Sequence, residues 1–398
     1  MRIGNAIYLD HQATTPADPR VLAKMSPYFA ESFGNPHSSE HAIGWAAARA
    51  VEESAAQISN LVRADADEIV FTSGATESNN LALFGLSKSA AALKRRCVLV
   101  TAIDHKSTLA VGRELQRSGF SVAHLRVDSG GRLDLDDLRT KMNESVLVLS
   151  LCVVNSEIGT IQNLSEVKAM TQQYGVLLHC DAAQAPCGMD VRELSDTADL
   201  ISLSSHKIYG PKGIGALYVR RNLQDLIEPM IHGGGQQRNL RSGTLPTPLC
   251  VGFGAAAEIL STADAKIERD RIRAQRNLFL NLLHELPRPI KLNGDAVLRH
   301  PGNVNVQFEG YSGEDILGVL QPRLAASTGS ACTSGVSEPS HVLRGIGLTN
   351  EEARASVRFC IGRYTSDADI YGAVELIAEA LAQLSATGTR HAGYGGER

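Results

Sequence analysis

Aromatic residues make up only 5% of the 398, with a single tryptophan, and nowhere do about eighteen apolar residues run together. A membrane-spanning helix needs such a run, so no membrane role is expected. The opening MRIGNAIYLDHQ has no basic stretch followed by an apolar segment, so no secretory leader is read there and the expected setting is cytoplasmic. Neither sign of charge dominates. With 39 basic and 43 acidic residues the net charge is -4, which gives no global attraction for DNA or RNA, and direct nucleic acid binding is not expected. The seven cysteines, Cys97, Cys152, Cys180, Cys187, Cys250, Cys332 and Cys360, include no CxxC pair, so zinc-ribbon and thioredoxin-like readings have no support and no metal site is expected. Repeats and low-complexity arrays are also missing. What is present is 43% apolar residues over a length sufficient for one large core and a smaller one, which sets aside disordered, collagen-like and disulfide-scaffold chains.

Residues 41–62 repeat apolar positions at three and four residue spacing and predict a long amphipathic helix. Short runs rich in Val, Ile and Leu at 69–72, 97–102, 121–127, 146–154, 176–180, 200–204 and 215–219 read as strands. Most are separated by helical segments, including 76–92, 106–117 and 164–174, the signature of an α/β fold with a mainly parallel seven-stranded sheet covered on both faces. The last two strands are too close for a crossover helix, so at least one pairs antiparallel. Gly- and Pro-rich residues 229–248 predict a structured loop, and 249–286 a single long charged helix leading to a smaller α+β domain. There, 304–310 and 355–363 read as strands around a helix at 312–320.

Five segments carry candidate chemistry. In SSHKIYGPKGIGALYV, Lys207 lies between an apolar strand and a Gly/Pro-rich turn. A solvated turn lysine is one reading; the other is a Schiff-base amine whose pKa is lowered by burial or a cationic neighbour. In LLHCDAAQA, Asp181 ends a strand, where it either caps the next helix or pairs with a protonated heteroaromatic nitrogen, as pyridoxal phosphate chemistry requires; Gln184 then reaches the phenolic oxygen. IVFTSGATESNN turns from strand to helix, and the free N–H groups of Gly74, Ala75 and Thr76 with the Thr76 hydroxyl form either a phosphate cradle or an ordinary cap. It lacks the lysine of a nucleotide-hydrolysing P-loop. His105 follows a strand and either starts a helix or stacks on a planar cofactor and moves a proton. Cys332 sits in TGSACTSGVSEPS, without apolar periodicity, as a passive loop residue or an exposed nucleophile.

Taken together, YLDHQATTP at 8–16, GNPHSSEH at 34–41, TSGATESNN at 72–80, VNSEIGTIQ at 154–162, SSHKIYGPKGIGALYVRR at 204–221, RSGTLPTP at 241–248 and GSACTSG at 329–335 resemble the cysteine desulfurases, fold-type I enzymes of the class V aminotransferase superfamily. The cysteine loop is similar to the SGSACTS type of the bacterial housekeeping and nitrogen-fixation members, with Thr328 and Gly335 as mild variations. The resemblance implies pyridoxal 5'-phosphate joined to Lys207, with Asp181 on its pyridine nitrogen, Gln184 on its phenolic oxygen and His105 stacked on its ring. Thr76, Ala75, Ser204 and His206 would hold its phosphate. Thr244 would serve the neighbouring subunit's site in a homodimer, and Asn155 and Arg358 would grip the carboxylate of L-cysteine. Cys332 would take the substrate sulfur as a persulfide, leaving alanine, and pass it to an acceptor protein for iron–sulfur cluster assembly, DNA phosphorothioation or tRNA thiolation. The implied division is a large cofactor-binding domain at 16–258, a small domain of 1–15 and 259–385 carrying the cysteine loop, and a flexible tail at 386–398. After Leu384 the sequence departs from the acidic and aromatic tail through which housekeeping members dock the iron–sulfur scaffold. Another aminotransferase or lyase, a selenocysteine lyase and a non-catalytic binding module are the alternatives.

Overall fold

The computed structural model describes residues 1–329 and 338–386. Cys332 and residues 387–398 of the expected tail lie outside the described residues; Ala386 ends the last helix, Asp367–Ala386. Seven strands form the main sheet: β1 (Ile69–Thr72), β2 (Cys97–Thr101), β3 (Ser121–Leu125), β4 (Val146–Cys152), β5 (Leu177–Asp181), β6 (Leu200–Ser204) and β7 (Gly215–Val219). They lie in the order β1-β7-β6-β5-β4-β2-β3. All neighbours are parallel except β7, which runs antiparallel to both β1 and β6. The short connection before β7, with no room for a crossover helix, accounts for that reversal.

β4, VLVLSLC, is buried along its whole length, because helices cover both faces of the sheet and remove the alternation of a half-exposed strand. Adjacent side chains feed opposite cores. Leu99, Leu149 and Ile201 point to one face, and Val98, Val148 and Leu200 to the other. The predicted amphipathic helix spans Ala42–Leu61, and the crossover helices span Ala75–Leu93, Lys106–Arg117 and Leu164–Tyr174.

The expected single helix over 249–286 is two, Thr247–Leu260 and Asp264–His284. Ser261 Oγ donates to Ala257 O at 2.9 Å and Thr262 Oγ1 to Ile259 O at 2.9 Å, so hydroxyls satisfy carbonyls at the end of the first helix. Chain direction changes there while the charge pattern runs on. A second core gathers Ile7 and Leu9 with Phe279, Val304, Val306, Phe308, Phe359 and Ile370. Its sheet pairs Asn303–Phe308 antiparallel with Ile290–Leu292 on one side and Ser356–Cys360 on the other. The extended opening is also paired: Ala6–Tyr8 lies antiparallel to Arg2–Ile3 and parallel to Leu324–Ala325. Among the described residues, no helix is long and apolar enough to cross a membrane.

Candidate active site

The order of the sheet reverses between β2 and β4, and such a switch point leaves a crevice at the carboxyl ends of the strands. Ser73 and Gly74 follow β1 at this edge, His105 follows β2, Asn155 follows β4, Asp181 ends β5, and Lys207 follows β6. Topology thus brings together segments that are far apart in sequence.

Lys207 ends the one-turn helix Ser205–Lys207. Its Nζ donates to Gln12 O at 2.6 Å and Ala13 O at 2.7 Å, two neutral acceptors. Burial, and then the positive charge of Arg358, lower the pKa of this amine to about 8, a value suited to nucleophilic work. Gln184 Nε2 donates to the same Gln12 carbonyl at 2.8 Å. Asp181 is buried, its Oδ2 accepting from Asn79 Nδ2 at 2.8 Å and its Oδ1 from Ala183 N at 3.0 Å. Behind it His179 bridges Ser150 Oγ at 2.8 Å and Ser202 Oγ at 2.9 Å, which fixes the floor of the crevice.

The helix Ala75–Leu93 begins at Gly74 with exposed Thr76 in its first turn, so its free N–H groups and positive dipole end lie at the crevice. Gly215, paired with Thr72 on one side and Ser204 on the other, draws this turn close. A Cβ on Gly215 would stand 2.6 Å from both Gly74 Cα and Leu203 O, a space only glycine leaves open. His206 Nδ1 lies 3.0 Å from Thr14 Oγ1, and burial together with Lys207 and Lys212 lowers its pKa to about 4. Its ring is therefore neutral near pH 7 and can share a hydrogen with an anion without adding charge.

Arg358 reaches the same edge from the three-stranded sheet of the second core. Nη2 donates to Asp10 Oδ1 at 2.7 Å and Nη1 to Ser156 O at 2.7 Å, while its buried Nε has no partner among the described residues. Asn155 is engaged within the protein: Nδ2 donates to Ile103 O at 3.0 Å, and Oδ1 accepts from Glu157 N at 2.9 Å and Ile158 N at 3.0 Å. The Asn155 side chain therefore shapes the turn that holds the Ser156 carbonyl against Arg358. His105 caps the helix Lys106–Arg117, its Nδ1 2.8 Å from Ser107 Oγ and its ring exposed. Thr244 is exposed and meets none of the other candidate residues through any described hydrogen bond.

The chain matches the class-V aminotransferase family over residues 7–371. It is 45% identical over 382 residues to a cysteine desulfurase IscS of Rickettsia massiliae, with 95% of this chain and 92% of that protein covered. The chain belongs to the cysteine desulfurases. Among solved structures, a NifS-like protein superposes with a TM-score of 0.88 at 29% identity, covering 95% of this chain and all (100%) of that one. A protein described as SspA in complex with cysteine superposes at 0.79 with 34% identity over 91% of this chain and 100% of its own. Desulfurases of this superfamily are fold-type I pyridoxal phosphate enzymes, and the site has the parts that this cofactor requires. A weakly basic lysine faces neutral acceptors, a buried carboxylate stands ready for a pyridine nitrogen, and a helix start closed by Gly215 suits a phosphate.

Three contributors escaped the sequence reading. Gln12 supplies the carbonyl shared by Lys207 and Gln184, Asp10 pairs with Arg358, and Asn79 orients Asp181. Asp10 and Gln12 lie in YLDHQATTP and Asn79 in TSGATESNN, segments whose pattern stood out; their signal was polar side chains inside otherwise apolar or small-residue stretches.

Proposed function

We propose that this desulfurase takes sulfur from L-cysteine, releases L-alanine, and holds the sulfur as a persulfide on Cys332 for transfer to an acceptor protein. The observation that carries the reading is Lys207, an amine with a lowered pKa held on two carbonyls beside buried Asp181 and Arg358. When bound, pyridoxal phosphate supplies an aldehyde for Lys207 and a ring that withdraws electrons from the substrate's α carbon. Asp181 keeps a proton at the pyridine nitrogen. Arg358 grips the substrate carboxylate, its Nε, unpartnered among the described residues, and its exchangeable contact with Asp10 giving it capacity to do so. Lys207, once released, removes the α proton, and His105 moves a proton beside the substrate. The Cys332 thiolate attacks the substrate sulfur; the carbon–sulfur bond breaks and its electron pair stays with the carbon fragment that becomes alanine.

The proposal extends to a homodimer. Leu22, Phe29, Ile43 and Trp45 are exposed on the first helices and Phe33 on the loop between them, and large apolar groups gathered in one stretch suit an interface. Thr244, exposed, would then complete the partner's phosphate site. Iron–sulfur assembly, DNA phosphorothioation and tRNA thiolation all draw on the same persulfide, and capture of labelled sulfur from Cys332 by a cellular protein decides among them. The activity is tested by alanine release from L-cysteine. Release is expected for the native enzyme and lost in both Lys207→Ala and Cys332→Ser, with bound yellow cofactor kept only in the second. Normal turnover by Cys332→Ser without added thiol refutes the persulfide reading.

A further inference from the structure

The segment that carries Cys332 leaves the described chain after Gly329 and returns before Ser340, and both of these residues meet one side chain. Glu157 is only 4% exposed. Its Oε2 accepts a hydrogen bond from Ser340 Oγ at 2.7 Å. At the other end its carboxyl group lies against Gly329, where a Cβ would stand 2.5 Å from Glu157 Cγ, 2.7 Å from Cδ and 2.9 Å from Oε1. Only glycine fits there, and its φ of +86° is one that other residues rarely adopt. Oε1 is buried with no hydrogen-bond partner among the described residues.

Glu157 is held rigidly at its backbone. Its N–H donates to Asn155 Oδ1 at 2.9 Å, and its carbonyl accepts from Asn303 Nδ2 at 3.0 Å and Asn305 Nδ2 at 3.2 Å. The adjoining Ser156 carbonyl accepts from Arg358, so Glu157 projects from the turn that anchors the proposed carboxylate grip. On the far side, Ser340 Oγ caps the helix His341–Gly345 by accepting from Val342 N at 3.1 Å and Leu343 N at 3.3 Å. His341 Nε2 lies 2.9 Å from the carbonyl of Asp104, the neighbour of His105. Glu157 is thus linked through Ser340 and His341 to the residue next to His105, and through the Ser156 carbonyl to Arg358.

We propose that Glu157 is a positioning residue for sulfur transfer, holding both ends of the segment that presents Cys332 to the substrate. The proposal rests on the desulfurase reading but uses a residue to which the mechanism gives no role. Burial pushes the Glu157 carboxyl up to about 7, while the Ser340 hydroxyl and the charges of Arg358 and Lys106 pull it down. Strand Asn303–Phe308 contributes only neutral amides to its surroundings, and Asp10 faces Arg358 rather than Glu157. Neutral Glu157 donates one hydrogen and accepts others, whereas the ionised form only accepts. Its hydrogen bonding at the Ser340 end accordingly changes as pH crosses 7, while the packing against Gly329 stays.

The test compares holoenzyme of the native sequence with Glu157→Gln, which is permanently neutral and of the same size, and with Ser340→Ala, which removes the hydroxyl. Cofactor content and KM for L-cysteine are expected to stay within about twofold, while kcat for alanine loses the ionisation near 7 in Glu157→Gln. A second measurement is independent of turnover: the rate at which iodoacetamide alkylates Cys332. The ratio of variant to native rates is expected to change by about threefold or more between pH 6 and 8.5, and Ser340→Ala to move in the same direction. A constant ratio together with an unchanged kcat profile overturns the proposal. Should the native enzyme release no alanine, the desulfurase reading fails, and a constant alkylation ratio is then enough to overturn the role of Glu157.

Discussion

Replacing Arg358 with lysine keeps the positive charge and removes the fork, so it separates what the guanidinium does by shape from what it does by charge. Two of its N–H groups now make bonds of 2.7 Å, to Asp10 and Ser156, and its buried Nε has no partner among the described residues. A planar fork can exchange one of these contacts for a bidentate grip on a carboxylate; an ammonium cannot span both oxygens from the same stem. Each charge-assisted hydrogen bond is worth about 1.5–3 kcal/mol, so losing one raises KM for L-cysteine about 10- to 150-fold. Charge near Lys207 is retained, so its depressed pKa and the pH profile of kcat should persist. The assay is steady-state alanine release across pH, with cofactor content measured on the same samples. A KM within about twofold of native at unchanged cofactor content would refute the assignment of Arg358 to the carboxylate.

Two further outcomes follow from the site. Lys207 is lowered from its ordinary value to about 8 by burial and by Arg358, so in the cofactor-free enzyme the neutral, imine-forming amine is about half populated at pH 8. The association rate of pyridoxal phosphate should rise with pH and level off above about 8 to 9; a rate still climbing tenfold per pH unit near 9.5 would mean an unshifted lysine. The same shift has a stability sign: the fold disfavours protonated Lys207, so this penalty is fully present below pH 8 and fades as pH rises toward the unfolded value. Gly215→Ala places a Cβ 2.6 Å from Gly74 Cα and Leu203 O. Such overpacking costs about 1–3 kcal/mol and moves the helix start, so cofactor affinity should fall about tenfold or more in a titration of visible absorbance, and native affinity would remove the cradle from the account.

Much of this architecture was legible because the apolar runs are short, uninterrupted and spaced by amphipathic stretches. Each of the seven sheet strands lies where its Val, Ile and Leu run predicts it, and the antiparallel β7 follows from the brevity of 205–214. The break at Ser261–Ala263 was hidden because a helix can end on hydroxyl side chains without glycine or proline to mark it. Lys207 and Asp181 stood out as charges at the ends of apolar strands, where burial needs a reason. Asp10, Gln12 and Glu157 did not, since their roles arise from contacts with residues far along the chain: Arg358, Lys207 and Ser340. No local periodicity encodes such pairings. The part of Gln12 that meets Lys207 is moreover its backbone carbonyl, which every residue carries.

The most direct test is mass spectrometry of the holoenzyme after a single turnover with L-cysteine in the absence of reductant. One additional sulfur atom on the peptide containing Cys332, matched mole for mole by alanine and absent from Lys207→Ala, is the predicted result. Alanine formed in stoichiometric amount with no sulfur gained at Cys332 would contradict it.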